Sequence, residues 1–339
     1  MARGKKRKGL RLLLILLLIA GAAGAYLLFG PNSYKDRYLY IRTGSNYATV
    51  IKQLEDGGFV KEINSFKLLA ERAGYPAKVK PGKYKIAAGM SNYNIVRMLR
   101  NGSQEPVKLV INKLRTKEDF YRFVATQLEA DSNQLKALFA DSAYLAEYGL
   151  DTNTALCAIM PDTYEFYWNT TADKVFRKIA KKYTRFWNED RKRLARLKGL
   201  SPAGVITMAS IVEEETNKLA DKPLVASVYL NRIDKNMPLQ ADPTVKFAVG
   251  DFAIRRVTGV HLAVVSPYNT YKNKGLPPGP ICTPSESSIN AVLNAPATDY
   301  IYFCATPALD GSSAFTASYD QHLKNAKAYQ QALNERGIH

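Results

Sequence analysis

Ser201-Pro202-Ala203-Gly204-Val205-Ile206-Thr207-Met208-Ala209-Ser210-Ile211-Val212-Glu213-Glu214-Glu215-Thr216 is an apolar helical pattern that runs straight into three carboxylates. Ser201 suits the N-cap and Pro202 the first helical position, where a missing N–H costs nothing. Val205, Met208, Ala209 and Val212 recur at helical spacing. Advancing each residue by about 100° places Glu215 beside Met208, at the edge of the arc of Val205, Met208 and Val212. Glu213 falls at the margin of that arc and Glu214 on the opposite, solvated side.

Two readings of the carboxylate run compete. In one, Glu213, Glu214 and Glu215 are the polar end of an ordinary amphipathic helix. In the other, Glu215 is carried into a half-dry cleft, where desolvation raises its pKa and lets it hold a proton near neutral pH. A carboxylic acid of that kind can donate to a leaving oxygen, as acid catalysis on sugars requires.

Three further segments follow in order: Leu239-Gln240-Ala241-Asp242-Pro243-Thr244, Ser266-Pro267-Tyr268-Asn269-Thr270-Tyr271, and Gly275-Leu276-Pro277-Pro278-Gly279-Pro280-Ile281. With Ala209 to Thr216 they make the chain resemble the endolytic murein transglycosylases, the YceG-like family of bacterial cell-wall enzymes. The resemblance extends to Pro161-Asp162-Thr163-Tyr164 and to Tyr300-Ile301-Tyr302-Phe303, which leads to His322. It is strongest from Ser201 onward. In that family the catalytic acid is the last Glu of an E-x-E-T segment, so the resemblance implies that role for Glu215, the residue the helical-face argument also selects.

The resemblance also implies the chemistry. Most glycosidases set two carboxylates about the scissile bond, whereas murein transglycosylases use one Glu as acid and then as base while the muramyl 6-hydroxyl attacks the anomeric carbon. Such a site needs polar side chains that hold the sugar in place. Gln240, Asp242 and Thr244 supply an amide, a carboxylate and a hydroxyl; Tyr268, Asn269 and Tyr271 supply flat faces and an amide. These six are the expected substrate-binding residues. Asp242 could instead be a second catalytic carboxylate, and Asp before Pro is also a common turn residue. The Gly275 to Gly279 loop, stiffened by two prolines, suits a cleft wall. Glu213 and His322 are expected to support the site. No His-Glu-x-x-His arrangement, phosphate loop or nucleophile elbow occurs, so neither a metal nor a cofactor is expected.

Charge and hydropathy set the rest of the frame. The 339 residues carry a formal charge of +18, and six of those charges (Arg3, Lys5, Lys6, Arg7, Lys8 and Arg11) precede an uncharged apolar run over residues 12–29. At about 1.5 Å per residue that run nearly crosses a hydrocarbon core. Its length favours an uncleaved single span over a signal peptide, with the basic end in the cytoplasm and everything after Gly30 outside; the resemblance implies that this membrane is the inner membrane of a bacterium. Much of the remaining surplus lies between Arg177 and Lys198 with Phe176, Ile179, Tyr183, Phe186 and Trp187 interleaved at burial spacing. A solvated helical face explains it better than nucleic-acid binding. Cys157, Cys282 and Cys304 form no zinc-like or disulfide-rich pattern. Cys282 and Cys304 could make one bridge in an exported domain; buried free thiols are the other reading.

After the span, residues 32–40 read as a short stalk into a strand at Tyr38–Ile41. Helices are expected over 45–54, about 65–73 and 91–99, with a strand at 80–86 between the last two. That order looks like the LysM-like module carried by the same family, which grips glycan; a plain α/β spacer is the alternative. A strand near 108–114 and helices over 117–128 and 132–139 follow. The expected organisation is an α+β protein: a basic segment at 1–11, a transmembrane helix at 12–30, a LysM-like module at 38–105, and a catalytic domain at 106–339 with its core at 201–339. The resemblance implies cleavage of the MurNAc–GlcNAc β-1,4 bond of nascent strands to give 1,6-anhydro ends, next to glycan polymerases and other wall-synthesis proteins. The competing readings are a muramidase-type hydrolase and a non-catalytic peptidoglycan-binding scaffold.

Overall fold

A computed structural model describes residues 2–337, with side chains from Gly9 on; the basic side chains before Gly9, and His339, lie outside the described residues. Helices and three two-stranded sheets are mixed along the chain, in keeping with the α+β expectation. The residues divide into two units: 1–108 with 126–130 and 165–171, and the remainder.

The first unit opens with α1 (Ala2–Phe29). Its Gly9–Phe29 portion is long and apolar enough to cross a membrane. There follow β1 (Arg37–Ile41), α2 (Tyr47–Asp56), α3 (Ile63–Arg72), β2 (Gly82–Ile86) and α4 (Asn92–Asn101). Strands β1 and β2 pair antiparallel, with Leu39 opposite Tyr84, and both bury alternate residues as a one-sided sheet requires. Local chemistry sets the helix ends. Asn46 and Ser91 cap α2 and α4 through their side chains, and Gly102 ends α4 in the left-handed conformation, φ 73°. Leu39, Ile41, Leu54, Phe66, Tyr84, Ile86, Ile95 and Leu99 close a core of their own.

The expected stalk is not a free linker. Pro31 bridges to Ser91 and Ser33 to Val60, and buried Asn32 bonds both Glu62 and Asn92. A short polar run looks like a spacer in sequence, but its backbone groups are satisfied here by distant segments of the same unit.

The chain continues with β3 (Val107–Ile111), α5 (Lys117–Gln127), α6 (Ser132–Ala140), α7 (Ser142–Ala146), β4 (Asp162–Phe166), α8 (Ala172–Phe186), α9 (Glu189–Leu197), α10 (Pro202–Glu215), α11 (Lys222–Asp234), α12 (Asp242–Val249), α13 (Gly259–Leu262), α14 (Glu286–Leu293), β5 (Tyr302–Ala305), β6 (Ser313–Thr316) and α15 (Tyr319–Glu335). The amphipathic run between Arg177 and Lys198 is two helices, because Asn188 leaves helical geometry (φ −71°, ψ 171°) and its side chain caps α9.

Helix α10 is the centre of the second unit and differs from its sequence reading. Ser201 caps it and Pro202 opens it as expected, but every residue from Val205 to Val212 is buried. With α9, α11, α12 and α14 packed about it, α10 is a core helix rather than an amphipathic one. Cys157 and Cys282 are buried and all three cysteines are free, so the Cys282–Cys304 bridge does not form.

Candidate active site

Because α10 is enclosed, all three of its terminal carboxylates need partners, and each has a different set. Glu213 accepts hydrogen bonds from Ser285 Oγ at 2.6 Å, from Ser288 Oγ, and from the buried ammonium of Lys222 at 2.9 Å. Burial alone would push this carboxyl up; the two hydroxyls and Lys222 outweigh it and hold its pKa below the usual range. Glu214, expected in open solvent, keeps only 12% of its side chain exposed and pairs with Lys113 at 2.6 Å and Arg115 at 3.2 Å. The helical wheel placed Glu214 away from the apolar arc, but the β3–α5 connection covers that side.

Among the described residues Glu215 forms no ion pair, and Lys246 acts on its charge only from a distance. Glu215 is the last residue of α10, where the carbonyl end of the helix dipole disfavours a negative charge. Protein surrounds it on most sides, with the remaining face open to a cleft of about 300 Å³. Desolvation pushes its carboxyl up to about 7, opposed by a hydrogen bond from Tyr229 and reinforced by the negative charge of Asp242. The Tyr229 hydroxyl donates to Glu215 Oε1 at 2.7 Å.

The cleft walls come from distant parts of the second unit. Tyr229 and Arg232 arrive on α11, Gln240 just before α12 and Asp242 at its first residue, Tyr302 and Phe303 on β5, and His322 on α15, with Tyr271 completing the rim. Arg232 is 8% exposed and acts as a hub: it donates to the carbonyls of Ile301 at 2.8 Å and Leu239 at 2.9 Å, and to Gln240 Oε1 at 3.1 Å. That last bond spans a strained backbone, since Gln240 sits at φ 55° without being glycine. His322 stacks on Tyr302 at 5.1 Å; burial and Arg232 hold its pKa below the ordinary histidine value.

Of the residues singled out in the sequence, Gln240, Asp242 and Tyr271 share the cleft with Glu215, and the Tyr271 hydroxyl donates to Asp242 Oδ1 at 2.6 Å. Thr244, Asn269 and Tyr268 lie elsewhere. Thr244 is wholly buried and bonds Ala241 O and Thr270 Oγ1. Asn269, equally buried, donates to the carbonyls of Leu262 and Val264. Tyr268 packs on Phe247 with ring centroids 4.7 Å apart. These three do not line the cleft, and the polar side chains of Thr244 and Asn269 are bonded within the protein. The Gly275–Gly279 loop does not line the cleft; a Cβ at Gly279 would lie 2.2 Å from the carbonyl of Asn153, so glycine there serves close backbone packing.

The sequence reading missed Tyr229, Arg232, Lys222, Ser285 and Ser288. A signal for the first two was present, since Val225, Tyr229 and Arg232 recur at i, i+4, i+7 and carry a hydroxyl and a charge onto a buried face. Among the described residues no three His, Cys, Asp or Glu side chains converge to hold a metal ion. The arrangement offers one carboxylic acid poised near neutrality, a neighbouring carboxylate and an aromatic, polar cleft.

Known proteins resemble this chain over most of its length. Residues 39–328 match the model of the YceG-like family. The endolytic murein transglycosylase of Bacillus subtilis is 32% identical over 311 residues, which covers 87% of this chain and 85% of that protein. The protein of the same name from Streptococcus pneumoniae is 26% identical over 331 residues, covering 87% of this chain and 58% of its own length. A crystal structure of a YceG-like protein from Listeria monocytogenes superposes with a TM-score of 0.57 at 29% identity, over 86% of this chain and 98% of that one.

Proposed function

The chain belongs to the YceG-like family, and from that premise we propose that it is a membrane-anchored endolytic lytic transglycosylase acting on peptidoglycan. The observation that carries the reading is Glu215, an acid held near pKa 7 at the base of a polar cleft. The bond cut is the β-1,4 link from MurNAc C1 to GlcNAc O4. Protonated Glu215 gives its proton to O4 as the C1–O4 bond breaks; the carboxylate then takes the proton of the muramyl 6-hydroxyl as O6 bonds to C1. The product is a 1,6-anhydro end, and no water is consumed.

Gln240, Asp242 and Tyr271 hold the sugar, with Arg232, Glu213 and His322 as supports. An acid with a pKa near the working pH suits both halves of this cycle, since it must be protonated at the start and a competent base afterwards. Residues 38–105 serve as a LysM-like glycan-gripping module, and residues 106–339 as the catalytic domain. The apolar Gly9–Phe29 helix anchors the enzyme in the cytoplasmic membrane, with its amino end inside and the catalytic part outside. There it meets nascent strands beside the glycan polymerases and limits their elongation.

The test is digestion of purified peptidoglycan by the full chain in detergent micelles, wild type beside Glu215→Gln, with product masses recorded. The proposal expects internal cuts whose new ends are lighter by one water than hydrolytic ends, and their loss in the variant. Reducing muramic ends would identify a hydrolase instead. Cleavage retained by Glu215→Gln would remove Glu215 from the acid role.

A further inference from the structure

Outside the Glu215 cleft, the strongest unassigned feature is a groove of about 820 Å³ over the outer face of α8. Its positive side chains are Arg177, Lys178, Lys181, Lys182, Arg185 and Arg191. The opposite face of α8 is committed to the core through Val175, Phe176, Ile179, Ala180 and Tyr183. An amphipathic helix needs a polar outer face, but it does not need one of a single sign. Arg177, Lys181 and Arg185 follow one another at i, i+4, i+8, a spacing at which like charges repel.

Part of this charge is matched. Lys182 bridges Asp162 at 2.7 Å and Glu286 at 3.0 Å, and Arg177 pairs with Asp173 and Glu147. Arg191 lies over the Phe186 ring at 4.1 Å and donates to the Phe186 carbonyl. Lys181 and Arg185 have no ion pair among the described residues, so the groove keeps a positive surplus.

The groove is also tied to the catalytic helix. Glu286, on one wall, lies in the same turn of α14 as Ser285 and Ser288, which hold Glu213 two residues before Glu215. We propose that this groove is a substrate exosite that takes the carboxylates of the peptide side chains on a glycan strand. The proposal rests on the peptidoglycan reading above, which supplies a ligand carrying carboxylates at intervals along a polymer. Cations spaced along one helix face at Arg177, Lys181 and Arg185 match a polymer that carries carboxylates at intervals. Unpaired cations in the groove give attraction without the loss of an internal ion pair.

The test is binding of end-labelled strands to the full chain in detergent micelles, in a Glu215→Gln background so that the strands persist. Peptide-bearing strands are compared with strands stripped of peptide by an amidase. In the parent, peptide-bearing strands are expected to bind more tightly, with affinity that falls as salt rises. Lys181→Glu with Arg185→Glu should weaken their binding about tenfold and abolish the difference between the two strand types. Lys181→Arg with Arg185→Lys should restore it. Lys324→Glu with Lys327→Glu, the same charge change on exposed positions of α15, should keep it.

Undiminished preference in the Lys181→Glu, Arg185→Glu variant would overturn the assignment, as would an equal loss in the α15 control. Displacement of strands by inorganic polyphosphate at far lower concentration than by polyglutamate would also overturn it, in favour of a phosphate polymer. Shortening of the labelled strands during the assay would refute Glu215 as the acid and leave the groove result readable.

Discussion

Tyr229 donates its hydroxyl to Glu215 Oε1 across 2.7 Å, from the helix after the one that carries Glu215 and fourteen residues along the chain. This bond favours the ionised carboxylate and works against the burial that dominates the site. Tyr229 stays protonated, because its own burial and the adjacent carboxyl push its pKa up. The pair therefore places the acid near neutrality instead of well above it.

Tyr229→Phe should accordingly raise the pKa of Glu215 above about 7. The alkaline limb of cleavage, where the proton donor is lost, should move to higher pH by up to about one unit, the scale of one hydrogen bond to a carboxylate. A pH–rate profile on defined glycan strands checks this. A limb that stays in place or moves down would show that the hydroxyl does not tune the acid.

Glu215→Gln should stabilise the fold at pH 8 and leave it nearly unchanged at pH 4. A carboxyl raised from 4.5 to about 7 binds its proton more tightly folded than unfolded. Stability is therefore lost as pH rises through that window, by up to about 3 kcal/mol at its upper end. The neutral amide escapes that loss. Thermal unfolding of both proteins across pH 4–8 measures it, and a variant less stable than wild type at pH 8 would contradict the sign.

Lys222→Met should destabilise by about 3 kcal/mol near pH 7, since it strands the Glu213 carboxylate with two hydroxyls in a mostly dry setting. The sign with pH is opposite to that at Glu215. The folded pKa of Glu213 is depressed, so its contribution is present above the unfolded value and disappears as pH falls through the folded one. Chemical denaturation at pH 7 and pH 3 should show the gap between variant and wild type narrowing on acidification.

Gln240 is bound to Arg232 through its side chain and strained in its backbone, at φ 55°. Gln240→Ala loses the bond and keeps the strain, whereas Gln240→Gly loses the bond and relieves the strain. The glycine variant should be more stable than the alanine variant by about 1 kcal/mol, while both cleave glycan equally slowly. Equal melting temperatures would mean that the left-handed backbone costs little there.

Much of the secondary structure was readable in advance because its signals act over a few residues. Ser201 and Pro202 begin α10, Ser91 begins α4 and Gly102 ends it, and alternation marks β1 and β2. The errors arose where a local pattern met a distant surface. Glu214 points away from the apolar arc yet is covered by Lys113 and Arg115. Thr244 and Asn269 look like ligand-binding polar residues yet are spent on backbone groups. Residues 31–33 look like a tether yet are bonded into the first unit.

By itself, then, the sequence determined which helix ends in a carboxylate cluster and singled out Glu215 within it, since both follow from 3.6-residue periodicity and capping chemistry. What each carboxylate became was decided by the tertiary structure alone. Glu213 is held ionised by Lys222, nine residues away, and by Ser288, seventy-five residues away; Glu214 is tied to Lys113 and Arg115; Glu215 faces a cleft assembled from α11, α12, β5 and α15. Proton affinity depends on the water removed from around a group and on the charges left beside it, and for these three neighbours both are set by segments far along the chain.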